Sequence, residues 1–94
     1  MNSITPEMVK RLLTSLVTPK YGDLIVDYDV ILRQDDEGKS GVGVDVIMDK
    51  ELYNTFDYYE NEDTIERDIE TDVRKAMRYL SPHFTLVDFY VIED

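Results

Sequence analysis

Residues 23–49 read DLIVDYDVILRQDDEGKSGVGVDVIMD, and this stretch decides the fold. From Asp23 to Arg33 the side chains alternate. Leu24, Val26, Tyr28, Val30 and Leu32 share one parity, and Ile25, Asp27, Asp29, Ile31 and Arg33 the other. From Val42 to Asp49 they alternate again, with Val42, Val44, Val46 and Met48 against Gly43, Asp45, Ile47 and Asp49. A period of two with many β-branched residues is the pattern of a strand, whose successive side chains point to opposite faces. The intervening residues, Gln34 to Gly41, are polar and include two glycines, which marks a turn. The spacing predicts a β-hairpin with a long loop, apolar on one face and mixed on the other.

Upstream, Thr5-Pro6-Glu7 has the composition of a helix start: a capping hydroxyl, a proline suited to the first turn, and an acid at the positive end of the dipole. Met8, Val9, Leu12, Leu13, Leu16 and Val17 keep helical spacing until Thr18-Pro19, so a first helix is expected over about residues 6–18. Downstream, Lys50 to Glu62 reads as either a short helix or a loop pinned by Leu52, Tyr53, Phe56 and Tyr59. Asp63-Thr64-Ile65-Glu66 resembles a capping box with Asp at the cap. Ile65, Ile69, Val73, Ala76, Met77 and Leu80 then carry a second main helix to Ser81-Pro82. Phe84 to Ile92 is a third strand, apolar on both parities apart from Asp88.

The element order is α-β-β-(α)-α-β in one domain spanning residues 1–94. A right-handed crossover through the second main helix would return the third strand parallel to the second. Placing it beside the first strand makes all neighbours antiparallel. The expected fold is therefore α+β: a three-stranded antiparallel sheet, order 2-1-3, with two main helices on one face. The expected core comprises Leu12, Leu16, Val26, Tyr28, Val44, Val46, Ile69, Val73 and Met77.

Charge narrows the function. Twenty-one acidic residues against ten basic ones give a net charge of −11. Nucleic-acid binders supply Lys and Arg to displace counterions, and anionic membranes attract the same groups. No basic stripe exists here, so direct nucleic-acid and membrane binding are disfavoured. A basic protein, a divalent cation, or a basic nucleic-acid-binding surface that the domain imitates would be an easier partner. The chain has no Cys, which removes disulfides, thiol nucleophiles and Cys-based zinc sites. The first residues do not resemble a signal peptide, and no apolar run approaches a membrane span. A cytoplasmic or intravirion location is expected.

The second face of the hairpin carries Ile25, Asp27, Asp29, Ile31, Asp45, Ile47 and Asp49. Opposed residues in a hairpin have constant summed numbers. A sum of 74 sets Asp29 opposite Asp45; 76 sets Asp27 opposite Asp49; 72 sets Asp27 opposite Asp45. Every such register opposes two carboxylates, a cost of up to about 1 kcal/mol in a sheet. Screening by water and salt, a neighbouring cation such as Arg33, a bound cation or a basic partner would offset it. Crowding also predicts raised carboxyl pKa values. The third strand adds Leu86, Tyr90 and Ile92, or Val87, Phe89 and Val91, to this face. Such apolar groups call either for cover by residues 50–62 or for a contact surface.

The candidate partner-binding residues are therefore Asp27, Asp29, Asp45, Asp49, Ile25 and Ile47, with Tyr53, Phe56, Tyr58 and Tyr59 as a second element. Tyrosine among carboxylates suits an arginine-rich partner.

Gly38-Lys39-Ser40-Gly41 matches the bare pattern GxxG, and the element order resembles that of a type II KH domain, αββααβ. In that family the loop joins two helices and holds nucleic-acid backbone. Here it joins two strands beside Asp35, Asp36 and Glu37, so the RNA-binding role is not carried over. No phosphate-loop or calcium-loop pattern is present. His83, the single histidine, has no orienting partner in sequence. No catalytic residue, cofactor or metal site is assigned.

The expected function is non-catalytic: an acidic protein-interaction module, an accessory or assembly component of a larger complex. The composition suits a phage or viral accessory protein, and homo-oligomer formation is compatible with it. The alternative is an inhibitor that imitates nucleic acid before a basic nucleic-acid-binding protein. A carboxylate metal-dependent enzyme is the remote third.

Overall fold

Residues 4–59, 62–81 and 84–94 are described in a computed structural model of the chain, with backbone alone for 56–59, 62 and 63. Helix α1 spans Pro6–Leu16, and the Thr5 hydroxyl caps it by accepting the Met8 N–H at 3.2 Å. A one-turn helix α2, Thr18–Tyr21, and a 3₁₀ turn, Gly22–Leu24, lead into strand β1, Ile25–Gln34. Strand β2 spans Ser40–Met48, helix α3 Lys50–Tyr59, helix α4 Glu62–Met77 and strand β3 Thr85–Glu93. The order α-β-β-α-α-β is the one expected, and the undecided segment after the hairpin is a helix. Asp63, read as a cap, has its side chain outside the described residues.

The hairpin adopts the 74 register, from Asp27 opposite Ile47 through Asp29 opposite Asp45 to Gln34 opposite Ser40. A bulge then shifts the pairing so that Ile25 meets Met48. The extra residue, Val26, inverts the facing of what precedes it. Ile25 is buried in the core, whereas Val26 is 53% exposed, the reverse of the alternation read from sequence.

The expected strand order is corrected. The sheet is mixed, in order β1-β2-β3, with β1 and β2 antiparallel and β3 parallel to β2. The physical reason lies in β2. A Cβ on Gly41 would meet the Thr85 carbonyl oxygen and the Val87 side chain, so only glycine lets the backbone of β3 approach here. The segment containing α3 and α4 is the crossover that parallel strands require. β2 is thus the central strand, and Gly41 through Val44 are all buried. A second bulge, at Val87, turns Leu86, Phe89 and Val91 to the core side and Asp88, Tyr90 and Ile92 to the other.

Helices α1 and α4 contact each other, α1 packing on β1 and α4 on β3. Val9, Leu13 and Val17 of the first helical region join Tyr28, Val42, Val44, Val46, Met48, Tyr53, Ile69, Val73 and Met77 in one cluster. Seven of the nine expected core residues belong to or pack against it. Leu16 and Val26 do not: α1 buries its i, i+4, i+8 stripe from Val9, which leaves Leu16 49% exposed. The Tyr28 hydroxyl is satisfied by the Thr18 hydroxyl at 2.9 Å and the Leu13 carbonyl at 3.4 Å.

The Tyr21 hydroxyl and the Lys20 ammonium tie the segment before β1 to α4 by donating to the same Asp72 oxygen, at 2.6 and 2.9 Å. Burial alone would raise the Asp72 pKa, but these bonds outweigh it and hold the carboxyl below its ordinary range. Burial, then the bond to Asp72, pushes the Tyr21 hydroxyl up. Among the described residues no helix is long and apolar enough to cross a membrane.

Candidate functional site

The register of the sheet arranges the face away from α1 and α4 in rows across the three strands. Asp27, Ile47 and Ile92 form one row, and Asp29, Asp45 and Tyr90 the next. Ile31, Gly43 and Asp88 follow, then Arg33, Gly41 and Thr85. Opposed residues of a sheet share a face, so the pairing places these side chains together. Ile31 is 52% exposed, Tyr90 60% and Ile92 42%, while Asp45 and Ile47 are half-buried.

Two cations reach the rim of this face. Lys10 of α1 meets Asp27 at 3.0 Å across the β1 edge. Arg33 crosses the sheet: its Nε lies 2.9 Å from Asp88 Oδ2, and it passes over Gly43, where a Cβ would come within 3.2 Å of that nitrogen. The missing side chain in the central strand makes room for a bridge from β1 to β3. Neither cation takes the central acidic pair. Among the described residues no basic group makes salt-bridge contact with Asp29 or Asp45.

The expected rise in carboxyl pKa does not occur at Asp27. The Tyr28 backbone N–H, and after it Lys10, hold this carboxyl below its ordinary range. Lys10 is raised in turn, chiefly by the bond to Asp27, with Asp29 contributing through space.

The sequence-derived candidates are partly brought together. Asp27, Asp29, Asp45 and Ile47 share the open face. Asp49 instead caps α3, accepting the Leu52 N–H at 3.0 Å, while its own N–H bonds the Leu24 carbonyl. Ile25 is withdrawn into the core by the bulge. Tyr53 is also core, and its hydroxyl donates to Glu66 at 2.7 Å. The side chains of Phe56, Tyr58 and Tyr59 lie outside the described residues, as does His83. Among the described residues, helix α3 meets the turn at Gly22–Leu24 and sends Tyr53 into the core.

Ile31, Arg33, Asp88, Tyr90 and Ile92 complete the face and were not among the shortlisted residues. The signal for the last three was Gly41 and Gly43, which mark β2 as the strand that β3 approaches. Among the described residues no group of three His, Asp or Glu side chains could hold a metal ion. The GxxG segment forms the hairpin turn and the start of β2: Gly38 supplies a φ of 82°, and Gly41 backs onto β3.

No family model matches the chain, and neither does any curated protein or solved structure.

Proposed function

We propose that this protein is a non-catalytic acidic interaction module, an accessory or assembly component. It docks a basic surface of a protein partner on the open face of its sheet. The observation that supports this reading is the Asp29–Asp45–Tyr90 row, whose carboxylates have no salt-bridge partner among the described residues and which lies between exposed Ile31 and Ile92. A Lys or Arg placed between two opposed carboxylates relieves their repulsion, and the flanking apolar groups gain from leaving water. Isoleucine and tyrosine interleaved with the acids favour assembly over imitation of nucleic acid, which calls for a continuous charged surface.

The test is affinity capture from the native host with the wild-type chain and with Asp29→Lys/Asp45→Lys as baits. The expected prey is a basic protein that the reversed bait loses and that wild type releases as salt rises. A prey displaced by added DNA would favour imitation of nucleic acid. Equal capture by both baits would remove the open face from the reading.

A further inference from the structure

The two edges of the sheet are defended unequally. Natural edge strands are blunted by charges, bulges or covering elements, because their outer N–H and C=O groups template further pairing. β1 carries the Val26 bulge, the Asp27, Asp29 and Arg33 side chains, and α1 with Lys10 clamped on Asp27. β3 carries the Val87 bulge, Asp88 and Glu93, and α4 packs on it, but among the described residues no ion pair ties α4 to it. β3 beyond its bulge reads Asp88-Phe89-Tyr90-Val91-Ile92-Glu93, with no Lys or Pro. Asp88 is turned inward over the sheet by Arg33. Among the described residues nothing pairs with the outer side of this strand.

A groove of about 540 Å³ lies against it, lined by Glu66, Arg67 and Glu70 of α4 and by Phe89, Tyr90 and Val91. Consecutive strand residues point to opposite faces, so a cavity bordered by all three lies at the strand's edge and not on either face. A cavity at β1 lined by Pro6, Glu7, Lys10, Tyr28, Asp29 and Val30 holds about 170 Å³.

We infer that the outer edge of β3 accepts an extended segment of a protein partner as a fourth strand, one that combines β-branched residues with Lys or Arg at its ends and between them. Main-chain bonds would supply affinity, and the groove side chains selectivity. Charge selects this occupant. The chain carries −11 overall and Glu93 ends the strand. In the groove Glu66 accepts from Tyr53, Glu70 is bridged to Arg74 at 3.2 Å and Arg67 is cationic, so the overall charge, more than the local one, favours a basic segment. A second copy is a poor occupant. In antiparallel pairing with Val91 facing its own counterpart, Asp88 stands opposite Asp94. With Tyr90 facing its own counterpart, the two acids are diagonal neighbours. Like charges so placed oppose pairing. The inference concerns the main-chain edge of β3, which shares with the open face the side chains of Asp88, Tyr90 and Ile92.

The test titrates the isotope-labelled full chain with the capped peptide KVTVRVK, its acidic twin EVTVEVE, and two basic isomers N-methylated on alternate parities. The basic peptide is expected to shift and protect the amides of residues 88–93. The acidic twin should bind at least about tenfold more weakly, and Glu70→Lys should weaken the basic peptide about threefold to tenfold at low salt. One methylated isomer should lose binding and the other keep it, because only one parity faces the edge. Absence of change at 88–93 overturns the inference. So do shifts confined to Asp29, Ile31 and Asp45, equal behaviour of the two isomers, or self-association of the chain that protects 88–93. A failure of this kind leaves the capture experiment on the open face untouched.

Discussion

On the helix-covered side of β2, Val42, Val44, Val46 and Met48 are fully buried; on the opposite side the same strand carries Gly41, Gly43, Asp45 and Ile47. The first side tolerates no charge, since a desolvated carboxylate without a partner costs several kcal/mol. The second side holds a carboxylate facing another carboxylate, because water reaches the pair and weakens the repulsion. The difference teaches that the two faces answer to different constraints. One is governed by volume and desolvation. The other is governed by backbone approach at its glycine end and by charge at its aspartate end.

The largest expected effect breaks the first face. Val46→Asp puts a charge at a position with no exposure, in the middle of the central strand. The penalty is comparable to the roughly 5–15 kcal/mol that holds a domain folded, so this variant should be unfolded in the absence of denaturant. Ile31→Asp makes the same chemical change on the open face and should cost about 1 kcal/mol or less. Urea denaturation followed by circular dichroism measures both. A cooperatively folded Val46→Asp would show that the two faces are assigned backwards.

An intermediate effect sharpens the comparison by showing that the open face has a packing demand of its own. Gly41→Ala adds one methyl group, which meets the Thr85 carbonyl and the Val87 side chain. The β2–β3 ladder must shift to admit it, an overpacking cost of about 1–3 kcal/mol. A neutral Gly41→Ala, judged by its urea midpoint, would mean that β3 does not approach β2 as closely as described. Gly38→Ala, in the turn, is a different case: nothing lies near its Cβ, and only its positive φ resists substitution.

The residues that set this contrast were unequally legible in the sequence. Period-two alternation gave the hairpin, and arithmetic on opposed residues left three registers, of which the structure adopts the one that sets Asp29 opposite Asp45. Helical spacing gave α1 and α4, though not which of two overlapping stripes on α1 turns inward. Two bulges escaped, because Val26 and Val87 are ordinary strand residues and nothing in their chemistry announces an unpaired position. The bulge at Val26 alone accounts for the misplacement of Ile25. Strand order escaped because β3 is apolar on both parities, so its sequence does not say which neighbour it takes. The glycines of β2 carried that information, since a strand interior without side chains at Gly41 and Gly43 is a strand that another backbone approaches. Asp49, read as a member of the acidic face, obeyed a local rule: it stands one residue before a helix and caps it.

The smallest effect tests whether Asp29 and Asp45 act as a pair. Replacing both by Asn should stabilise the free protein by a few tenths of a kcal/mol up to about 1 kcal/mol at low ionic strength. Each single Asn variant already removes the repulsion, so each should recover nearly the whole gain. The double variant should then be no more stable than the better single one, a non-additivity that two independent sites do not show. Asp29 differs from Asp45 in one respect: Lys10 feels its charge, so Asp29→Asn forfeits some attraction and should gain less. Raising the salt to about 1 M shortens the screening length to about 3 Å, and all three variants should converge on wild type. Paired denaturation curves at low and high salt measure this. Additive gains, or gains that survive high salt, would mean that the carboxylates do not repel each other. The open face would then lose the electrostatic motive for recruiting a basic partner.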